Sequence, residues 1–341
     1  NTADINEIPD PEDATSYAFP ESTEGTNTIG ASIQSLGAAA PSTQNVIKDF
    51  SGNLFNQFTP DGVYATDLFT GSASYGMNIN VPPGRNGLVP TISLSYNHHQ
   101  TGMRSTMGVG WALNQNFIYR DVKGTLSDTE DDEFKLHFSG VDLELIKDGT
   151  QYRTERETFW KIEKQMSGEN EFWTVITRDG TQYRFGFNED SELRSDENFV
   201  GRWSLDLVTD LHNNTIDYEY DETLTNEYYP YLTKISYNNR INEIAFEYAE
   251  NEWQGFNGVL YGTKIKQNAL LSKIVVSHQQ AIVRSYVLFY ALRDHVRVLE
   301  KIEMSGKDGN KFPATTFSYE HATPDWDYDS SHALPSEAFL G

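Results

Sequence analysis

The sequence predicts an all-β fold, in which a meander of antiparallel hairpins forms a curved sheet behind an extended amino-terminal leader. Three observations carry this prediction. From about Asp67 onward, apolar or aromatic residues alternate with polar ones between Gly, Asn and Asp turn signals. Aromatic residues make up 13% of the 341 residues, so the chain can build a substantial core. In the last third of the chain, a four-residue pattern recurs before aromatic strands.

The leader, residues 1–62, differs in composition from the rest. Its acidic residues are accompanied by one basic residue, Lys48, among many Ser, Thr, Asn, Ala and Pro residues. Such a segment can bury little apolar surface, so we expect it to be extended and ordered only where it lies on another surface. Because it begins without a basic, apolar signal segment, we expect either that such a segment has been removed or that the chain is part of a longer protein.

Residues 63–323 are predicted to form one β domain, followed by an acidic tail or linker at residues 324–341. Met77 to Val81 alternates and stops at Pro82-Pro83-Gly84, and Phe134 to Phe138 turns at Ser139-Gly140. The strands on either side of Asp179-Gly180 are joined by a residue pair that tolerates positive φ, which is typical of a tight hairpin. The segment from Thr154 to Lys164 is short, and its pattern leaves helix and strand open.

Residues 203–320 contain the repeat and are predicted to form four hairpins of one plan. The repeated pattern is Leu232-Thr233-Lys234-Ile235, Leu271-Ser272-Lys273-Ile274 and Leu299-Glu300-Lys301-Ile302, with a related unit starting at Trp203. The stretch from Ala281 to Ile302 lacks Gly and Pro, which would also suit a helix. Its β-branched residues and its agreement with the repeat favour strands.

We predict that the residues singled out by these patterns are structural. Two loops with stiff prolines or permissive glycines should set strand angles, aromatic residues should fill the inner face of the sheet, and Trp111 should plug the core. An anion-binding role for the first loop, through Arg85, is the weaker alternative. The predicted structural residues are Pro82, Pro83, Gly84, Arg85, Gly87, Gly108, Gly110, Trp111, Asp179, Gly180, Trp203, Tyr218, Tyr220, Phe246, Tyr248, Tyr290, Phe317 and Tyr319.

Composition excludes several functional classes. The 26 basic and 50 acidic residues give a net charge of −24, which opposes nucleic-acid binding. The chain has no cysteine, which rules out disulfides, zinc–thiolate sites and a thiol nucleophile. No window of 18 apolar residues occurs, so we expect no direct insertion into a membrane as a helix.

The motifs that could carry chemistry are isolated. Glu155-Arg156-Glu157 has the E-x-E spacing of ADP-ribosyltransferases but lacks the strand context that such a site needs. Asp325, Asp327 and Asp329 alternate as in a calcium loop, yet Ser330 stands where that loop requires glycine. The histidines are scattered, and adjacent His98 and His99 would point to opposite faces of a strand. We therefore predict no catalytic, cofactor or metal site and leave calcium at the three aspartates open.

Several stretches resemble, in the same order, the SpvB-type amino-terminal domain, a family found in the Salmonella virulence plasmid B protein and in the B component of insecticidal toxin complexes. The resemblance covers roughly residues 67–320. It rests on Gly71 to Tyr96, Met107 to Leu113, Tyr152 to Glu157 with Phe159, Asp179 to Gly186, Trp203 with Asp210 and Asn214, Tyr231-Leu232, and Pro313 with Phe317 to Tyr319.

The resemblance implies a non-catalytic β-scaffold with an Rhs/YD-like sheet. In toxin-complex members such a domain is part of a hollow β-shell that encloses an effector, and in SpvB it precedes a separate ADP-ribosyltransferase domain. We therefore expect a secreted or surface-exposed toxin-like protein that encapsulates or docks a protein partner. The alternatives are a cell-surface adhesin or glycan-binding module, and a fragment of an ADP-ribosylating toxin whose catalytic domain is absent.

Overall fold

The computed structural model describes residues 27–29, 62–66, 73–100, 104–124, 131–194, 199–222, 229–250, 256–293 and 296–319. Within these ranges the chain is built from strands, with three short 3-10 turns and no α-helix. No described helix has the length and apolar character needed to cross a membrane. The all-β prediction is therefore confirmed.

The amino-terminal part of the described chain forms a small layer that we call the front sheet. Four antiparallel strands make up this sheet in the order β2-β3-β4-β7, beside the two-stranded hairpin β5-β6. The strands of this part are β1 (Asn27–Ile29), β2 (Val63–Thr66), β3 (Ala73–Asn78), β4 (Ser93–Asn97), β5 (Arg104–Ser105), β6 (Gly108–Val109) and β7 (Trp111–Leu113).

The next part closes into an eight-stranded barrel. Strands β8 to β14 pair in sequence, and β16 pairs with both β14 and β8 to complete the ring. The eight strands are β8 (Phe117–Asp121), β9 (Glu133–Phe138), β10 (Val141–Asp148), β11 (Gln151–Thr154), β12 (Lys161–Ser167), β13 (Asn170–Ile176), β14 (Gln182–Phe185) and β16 (Val200–Thr209). The short strand β15 (Glu192–Arg194) pairs with β16 outside the ring. A closed ring leaves no unpaired sheet edge among its strands.

A long open sheet continues from the barrel through β16, which belongs to both. One half of β16 pairs with β8, and the half around Leu207 pairs with β17. From β17 the order is β18-β19-β22-β23-β24-β25, and β1 adds parallel to β25. The strands of the long sheet are β17 (Thr215–Asp221), β18 (Tyr231–Tyr237), β19 (Asn242–Glu250), β22 (Ala269–His278), β23 (Ala281–Arg293), β24 (Val296–Gly306) and β25 (Thr315–Phe317). Between β19 and β22, β20 (Phe256–Leu260) and β21 (Thr263–Gln267) form a separate hairpin.

The core lies between the front sheet and the long sheet and continues into the barrel. Trp111 of the front sheet packs its ring 4.7 Å from that of Phe317 on β25. The Tyr286 hydroxyl of β23 accepts a hydrogen bond from the Asn80 amide, and the Leu271 amide of β22 donates to the Thr106 carbonyl. The front sheet therefore covers one face of the long sheet and ties several of its strands together.

The predicted hairpins are confirmed, and the helix alternatives are wrong. Ala281 to Ile302 forms most of β23 and β24. The segment Thr154 to Lys164 contains the end of β11, an irregular connection and the start of β12. The local pattern did not predict the closure of the barrel or the hairpin β20-β21 inserted between β19 and β22. Both depend on pairings between residues far apart in the chain.

Candidate functional site

Four tyrosines, Tyr220, Tyr248, Tyr290 and Tyr319, form a repeated brace that we call the tyrosine ladder. Each hydroxyl donates to the carbonyl oxygen of a leucine in its own repeat unit, which for Tyr248, Tyr290 and Tyr319 is the leucine that opens the unit. The O–O distances are 2.8 Å to Leu205, 2.9 Å to Leu232, 2.7 Å to Leu271 and 2.6 Å to Leu299. The repeat found in the sequence is therefore a repeated hydrogen bond in the structure.

Three of the ladder tyrosines stand where the strand register shifts. Tyr220 lies opposite Leu232, with the shift between Glu219 and Tyr220. Tyr248 and Tyr290 lie opposite the leucines of the next units after the same kind of shift. Such a β-bulge bends a strand and redirects the side chain next to it. The repeated shift thus allows each tyrosine ring to reach back to the preceding strand.

Burial keeps the ladder hydroxyls protonated. Desolvation raises the pKa of all four ladder tyrosines, and Tyr220 has the least exposed side chain among them. A neutral hydroxyl donates one hydrogen bond, and a buried donor without an acceptor would destabilise the fold. Each ladder bond therefore satisfies a group that the aromatic core has removed from water.

Replacing Tyr220 with phenylalanine should lower the free energy of unfolding by about 1 kcal/mol, because the ring stays while the Leu205 carbonyl loses its donor. Tyr218→Phe is the matched control on the same strand. Its hydroxyl makes no hydrogen bond to any described residue, so we expect a change below about 0.5 kcal/mol. Urea unfolding followed by tryptophan fluorescence measures both values, and equal losses would contradict a role for the ladder bond.

The structure places the second predicted loop and its tryptophan between the two layers. Trp111 is 2% exposed and donates from Nε1 to the Tyr319 hydroxyl at 2.8 Å. Gly108 and Gly110 have φ of +81° and +76°. A β-carbon at Gly108 would lie 2.6 Å from the Arg297 carbonyl oxygen, so this backbone passes directly against β24.

The first predicted loop lies on the long sheet. The Pro82 and Pro83 carbonyl oxygens accept hydrogen bonds from the Tyr237 hydroxyl at 2.5 Å and the Asn242 amide at 3.2 Å. Gly84 precedes the 3-10 turn Arg85–Gly87, and the Arg85 side chain is exposed. The loop is therefore bound by its backbone to β18 and β19, and Arg85 lies on its solvent side.

The other predicted residues lie in the hairpins and their cores. Asp179 and Gly180 turn β13 into β14, and the Asp179 carboxylate accepts hydrogen bonds from Thr177 and Thr181. Those bonds lower the pKa of Asp179. Trp203 is fully buried and donates from Nε1 to the Glu171 carbonyl oxygen. Phe246 is a core residue of the long sheet, and Phe317 and Tyr218 are partly buried and pack against the core.

The barrel core contains two cations against an aromatic cluster, a feature that the sequence reading did not predict. Lys164 Nζ on β12 lies 4.9 Å from the centre of the Phe134 ring. The guanidinium carbon of Arg120 on β8 lies 5.2 Å from the same ring centre. Arg120 pairs with Asp132 at 2.7 Å and Lys164 with Glu171 at 2.7 Å. Burial lowers the pKa of Lys164, opposed by Glu171. The signal in the sequence was a basic residue at an inward position of β8 and of β12.

One buried carboxyl group should make stability depend on pH. Glu192 is 1% exposed, and burial raises its pKa to about 7 from an ordinary value of 4.5, although the Arg194 guanidinium opposes the shift. A raised acid pKa means that the folded state holds a proton which the unfolded state has lost. Stability should therefore fall as pH rises from about 4.5 to about 7, by at most about 3 kcal/mol, and then level off.

The variant Glu192→Gln should flatten this part of the stability profile. The control is Glu163→Gln. The hydrogen bond from Lys161 lowers the pKa of Glu163, so the contribution of Glu163 to stability is lost as pH falls and not as pH rises. Urea unfolding at intervals from pH 4.5 to 8 measures how steeply the free energy of unfolding changes with pH in each variant. An unchanged slope in Glu192→Gln would show that other buried acids, such as Asp206, control the effect.

The candidate catalytic and metal motifs do not assemble in the described part of the chain. The Glu157 carboxylate accepts a hydrogen bond from the Phe159 amide, and Glu155 uses its amide to bond the Glu144 carbonyl. His98 and His99 lie in a 3-10 turn and not on a strand. Among the described residues, no group of three His, Asp or Glu side chains could hold a metal. Asp325, Asp327 and Asp329 lie outside the described residues, as does most of the leader.

A cavity of about 610 Å³ lies where the front sheet, the barrel and the long sheet meet. Trp160, Tyr218 and Leu232 contribute to its apolar wall, and Asn114 and Arg156 contribute polar groups. Among the described residues that line this cavity, Arg156 alone is charged. The two glutamates on either side of it in the E-x-E motif do not line the cavity. Such a cavity can arise simply where three sheets meet, or it can hold a small amphipathic ligand. Its described lining contains no pair of side chains that could act as acid and base.

Comparison with known proteins shows what part of this chain resembles. The family model of the Salmonella virulence plasmid 65kDa B protein, SpvB, matches residues 68–158. No curated protein matches the whole sequence significantly. The matched segment contains most of the front sheet and the first strands of the barrel.

Solved structures share the fold at low sequence identity. The amino-terminal domain of the effector protein SpvB from Salmonella typhimurium strain LT2 aligns with a TM-score of 0.58 and 15% identity over 67% of this chain and 98% of that one. TcdB2-TccC3 aligns with a TM-score of 0.63 and 17% identity over 74% of this chain. The Photorhabdus luminescens Tc holotoxin pore aligns with a TM-score of 0.62 and 17% identity over 77% of this chain.

The chain spans only 16% of the length of the TcdB2-TccC3 and Tc holotoxin chains. It thus corresponds to one part of those large proteins and to nearly all of the SpvB domain. The family match at residues 68–158 and the shared fold confirm the resemblance of this chain to the SpvB amino-terminal domain, and TcdB2-TccC3 shares the same fold.

Proposed function

We propose that this chain is a non-catalytic β-scaffold domain of a secreted or surface-exposed toxin-type protein, where it contributes to the encapsulation or docking of an effector or partner protein. The observation that carries the proposal is the fold shared with both the SpvB amino-terminal domain and a segment of TcdB2-TccC3. A fold alone does not define a function, so the proposal also needs support from the physical character of the surface and core.

The construction of the long sheet supports a mechanical role. Its strands are held by continuous ladders of backbone hydrogen bonds, by the tyrosine ladder and by the front sheet on one face. The barrel continues from the same sheet through β16, so the two parts share a strand. Such a body can keep its shape as a wall, and the excess of 50 acidic over 26 basic residues favours solubility of a large β-surface.

Protein partners are the class that this surface fits best. The negative balance repels nucleic acids and anionic membrane surfaces. Isolation of the untagged protein from its natural source, followed by mass spectrometry of what accompanies it, tests the proposal. Recovery of a toxin-complex subunit, an Rhs-type shell or a secretion component supports it, and recovery of the chain alone at native concentrations contradicts it.

The leader offers a second test of the scaffold role. Asn27–Ile29 adds as a parallel strand to Thr315–Phe317 at the end of the long sheet. An added strand satisfies an otherwise unpaired edge. Deletion of residues 1–60 should therefore lower solubility or weaken a native complex, as measured by analytical ultracentrifugation, whereas unchanged solubility and assembly would reject this role.

The enzymatic alternative has a direct test. If the E-x-E motif were catalytic, the unaltered chain would turn over NAD, and Glu155→Gln with Glu157→Gln would abolish that turnover. We expect no turnover in either protein, because Glu157 is used in a hydrogen bond to the Phe159 amide. Measurable turnover that the double variant removes would overturn the non-catalytic proposal.

The adhesin alternative receives less support from the arrangement of aromatic residues. The ladder tyrosines, which could have stacked on sugars at a surface, use their hydroxyls within the core. A glycan array still tests it directly, since specific binding to one sugar class would favour the adhesin over the scaffold.

A further inference from the structure

A second cavity, of about 360 Å³, lies between the barrel strand β16 and the inserted hairpin β20-β21. We call it the Arg202 cavity. Its walls include Phe117 of β8, Leu113 of β7 and Ile265 of the hairpin, and Arg202 is the one charged residue among the described residues that line it. The cavity therefore combines an apolar interior with a single positive group.

Arg202 is buried without a carboxylate partner. It is 4% exposed, its guanidinium carbon lies 4.1 Å from the centre of the Phe117 ring, and Nη2 donates to Gln115 Oε1 at 2.7 Å. Its Nε is buried and makes no hydrogen bond. No carboxylate in the described part of the chain lies within ion-pair distance of this guanidinium. A buried charge left without a counter-ion destabilises a fold.

Other arginines of the same region show what Arg202 lacks. Arg120 pairs with Asp132 at 2.7 Å, Arg184 with Asp206 at 2.7 Å, and Arg194 with Glu192 at 2.5 Å. Each of these cations has an acidic partner from the chain itself. In an acidic protein, the absence of such a partner at the most buried of these four arginines indicates that the counter-charge comes from outside the described chain.

A second polar group lines the same cavity. Gln267 is 7% exposed and contributes its side-chain amide to the lining. An amide donor and a guanidinium together can hold both oxygens of a carboxylate. The remaining wall is apolar, and a volume of about 360 Å³ accommodates on the order of ten non-hydrogen atoms.

We propose that the Arg202 cavity binds a small organic monocarboxylate, with the carboxylate on Arg202 and an apolar body against Phe117 and the β20-β21 hairpin. The bound anion would supply the missing counter-charge, and the hairpin would form one wall of the site. This inference does not rest on the scaffold function, since a ligand site of this kind is compatible with a wall, an adhesin or an enzyme fragment.

Isothermal titration calorimetry of the full chain with sodium hexanoate tests the site. Hexanamide, a neutral compound of the same size, is the control ligand. We expect saturable binding of hexanoate and at least about tenfold weaker binding of hexanamide, because a hydrogen bond to a charged group is lost. Equal affinities for the two compounds, or no binding of hexanoate, would overturn the proposal.

Two variants locate the binding. Arg202→Met removes the charge while keeping a side chain of similar length, and should weaken hexanoate binding at least about tenfold. Val259→Trp fills the cavity from an exposed position of the hairpin, so it should block binding even if Arg202→Met fails to fold. Arg156→Met, in the other cavity, is the matched control and should bind hexanoate like the unaltered chain. Retained binding in Val259→Trp, or lost binding in Arg156→Met, would contradict the assignment.

Discussion

Replacement of Gly186 with alanine should destabilise the protein by about 3 kcal/mol or more, whereas the same change at Gly168 should cost only about 1 kcal/mol. Both glycines have positive φ, +70° at Gly186 and +67° at Gly168, so the backbone strain added by a β-carbon is similar. They differ in surroundings. Nothing lies within 4 Å of a β-carbon at Gly168, while a β-carbon at Gly186 would overlap the indole of Trp203.

The Trp203 indole has no room to move away from such a β-carbon. It is fully buried, with ring centroids 5.9 Å from both Trp173 and Phe134, and it is held by the hydrogen bond to Glu171. The difference between the two alanine variants therefore isolates the close packing of β14 against β16, where the barrel closes. Equal unfolding free energies in urea would show that the ring can rearrange and that closure there is loosely packed.

Replacement of Trp111 with alanine should destabilise the protein by about 3 to 5 kcal/mol, because it removes a buried indole between the front sheet and the long sheet. The ring lies 4.7 Å from Phe317 and 5.5 Å from Tyr96, and Nε1 donates to the Tyr319 hydroxyl. Trp111→Phe keeps an aromatic ring but loses that donor, so we expect it to cost less than half as much.

A double-mutant cycle separates packing from hydrogen bonding at this contact. Tyr319→Phe removes both the acceptor for Trp111 and the donor to the Leu299 carbonyl. If the two side chains are coupled, the loss in Trp111→Phe with Tyr319→Phe should be smaller than the sum of the single losses by about 1 kcal/mol. If the two losses of unfolding free energy were strictly additive, the indole would act through packing alone. The Tyr319 bond to Leu299 would then stabilise the long sheet independently of the front sheet.

The hairpins were predictable because their signals are local. Asp179-Gly180 sits between two alternating runs, and the hydrogen bonds from Thr177 and Thr181 to the Asp179 carboxylate form within five residues. The repeat beginning at Leu232, Leu271 and Leu299 likewise predicted the strands of the long sheet. The tyrosine that closes each unit was recognised as a buried aromatic, but not as the donor to that leucine.

The candidate sites were less predictable, because they depend on distant segments. Arg202 meets Gln115 across 87 residues and the β20-β21 hairpin from a later part of the chain. The E-x-E motif was visible as a pattern, but the irregular connection between β11 and β12 placed Arg156, and not the glutamates, in a cavity. Local patterns show residue types and spacing. Neither determines which distant segments of the chain surround a given side chain.

The sequence by itself determined the all-β class, the hairpin turns and the repeat, since alternation, turn residues and local register act over a few residues. Only the tertiary structure decided that β16 closes a barrel while starting a long sheet, and that the front sheet covers one face of that sheet. It also decided that Arg202 is buried with no acidic partner among the described residues. These features depend on pairings between segments far apart in the chain, whose free energy comes from packing and buried charge that no local pattern records.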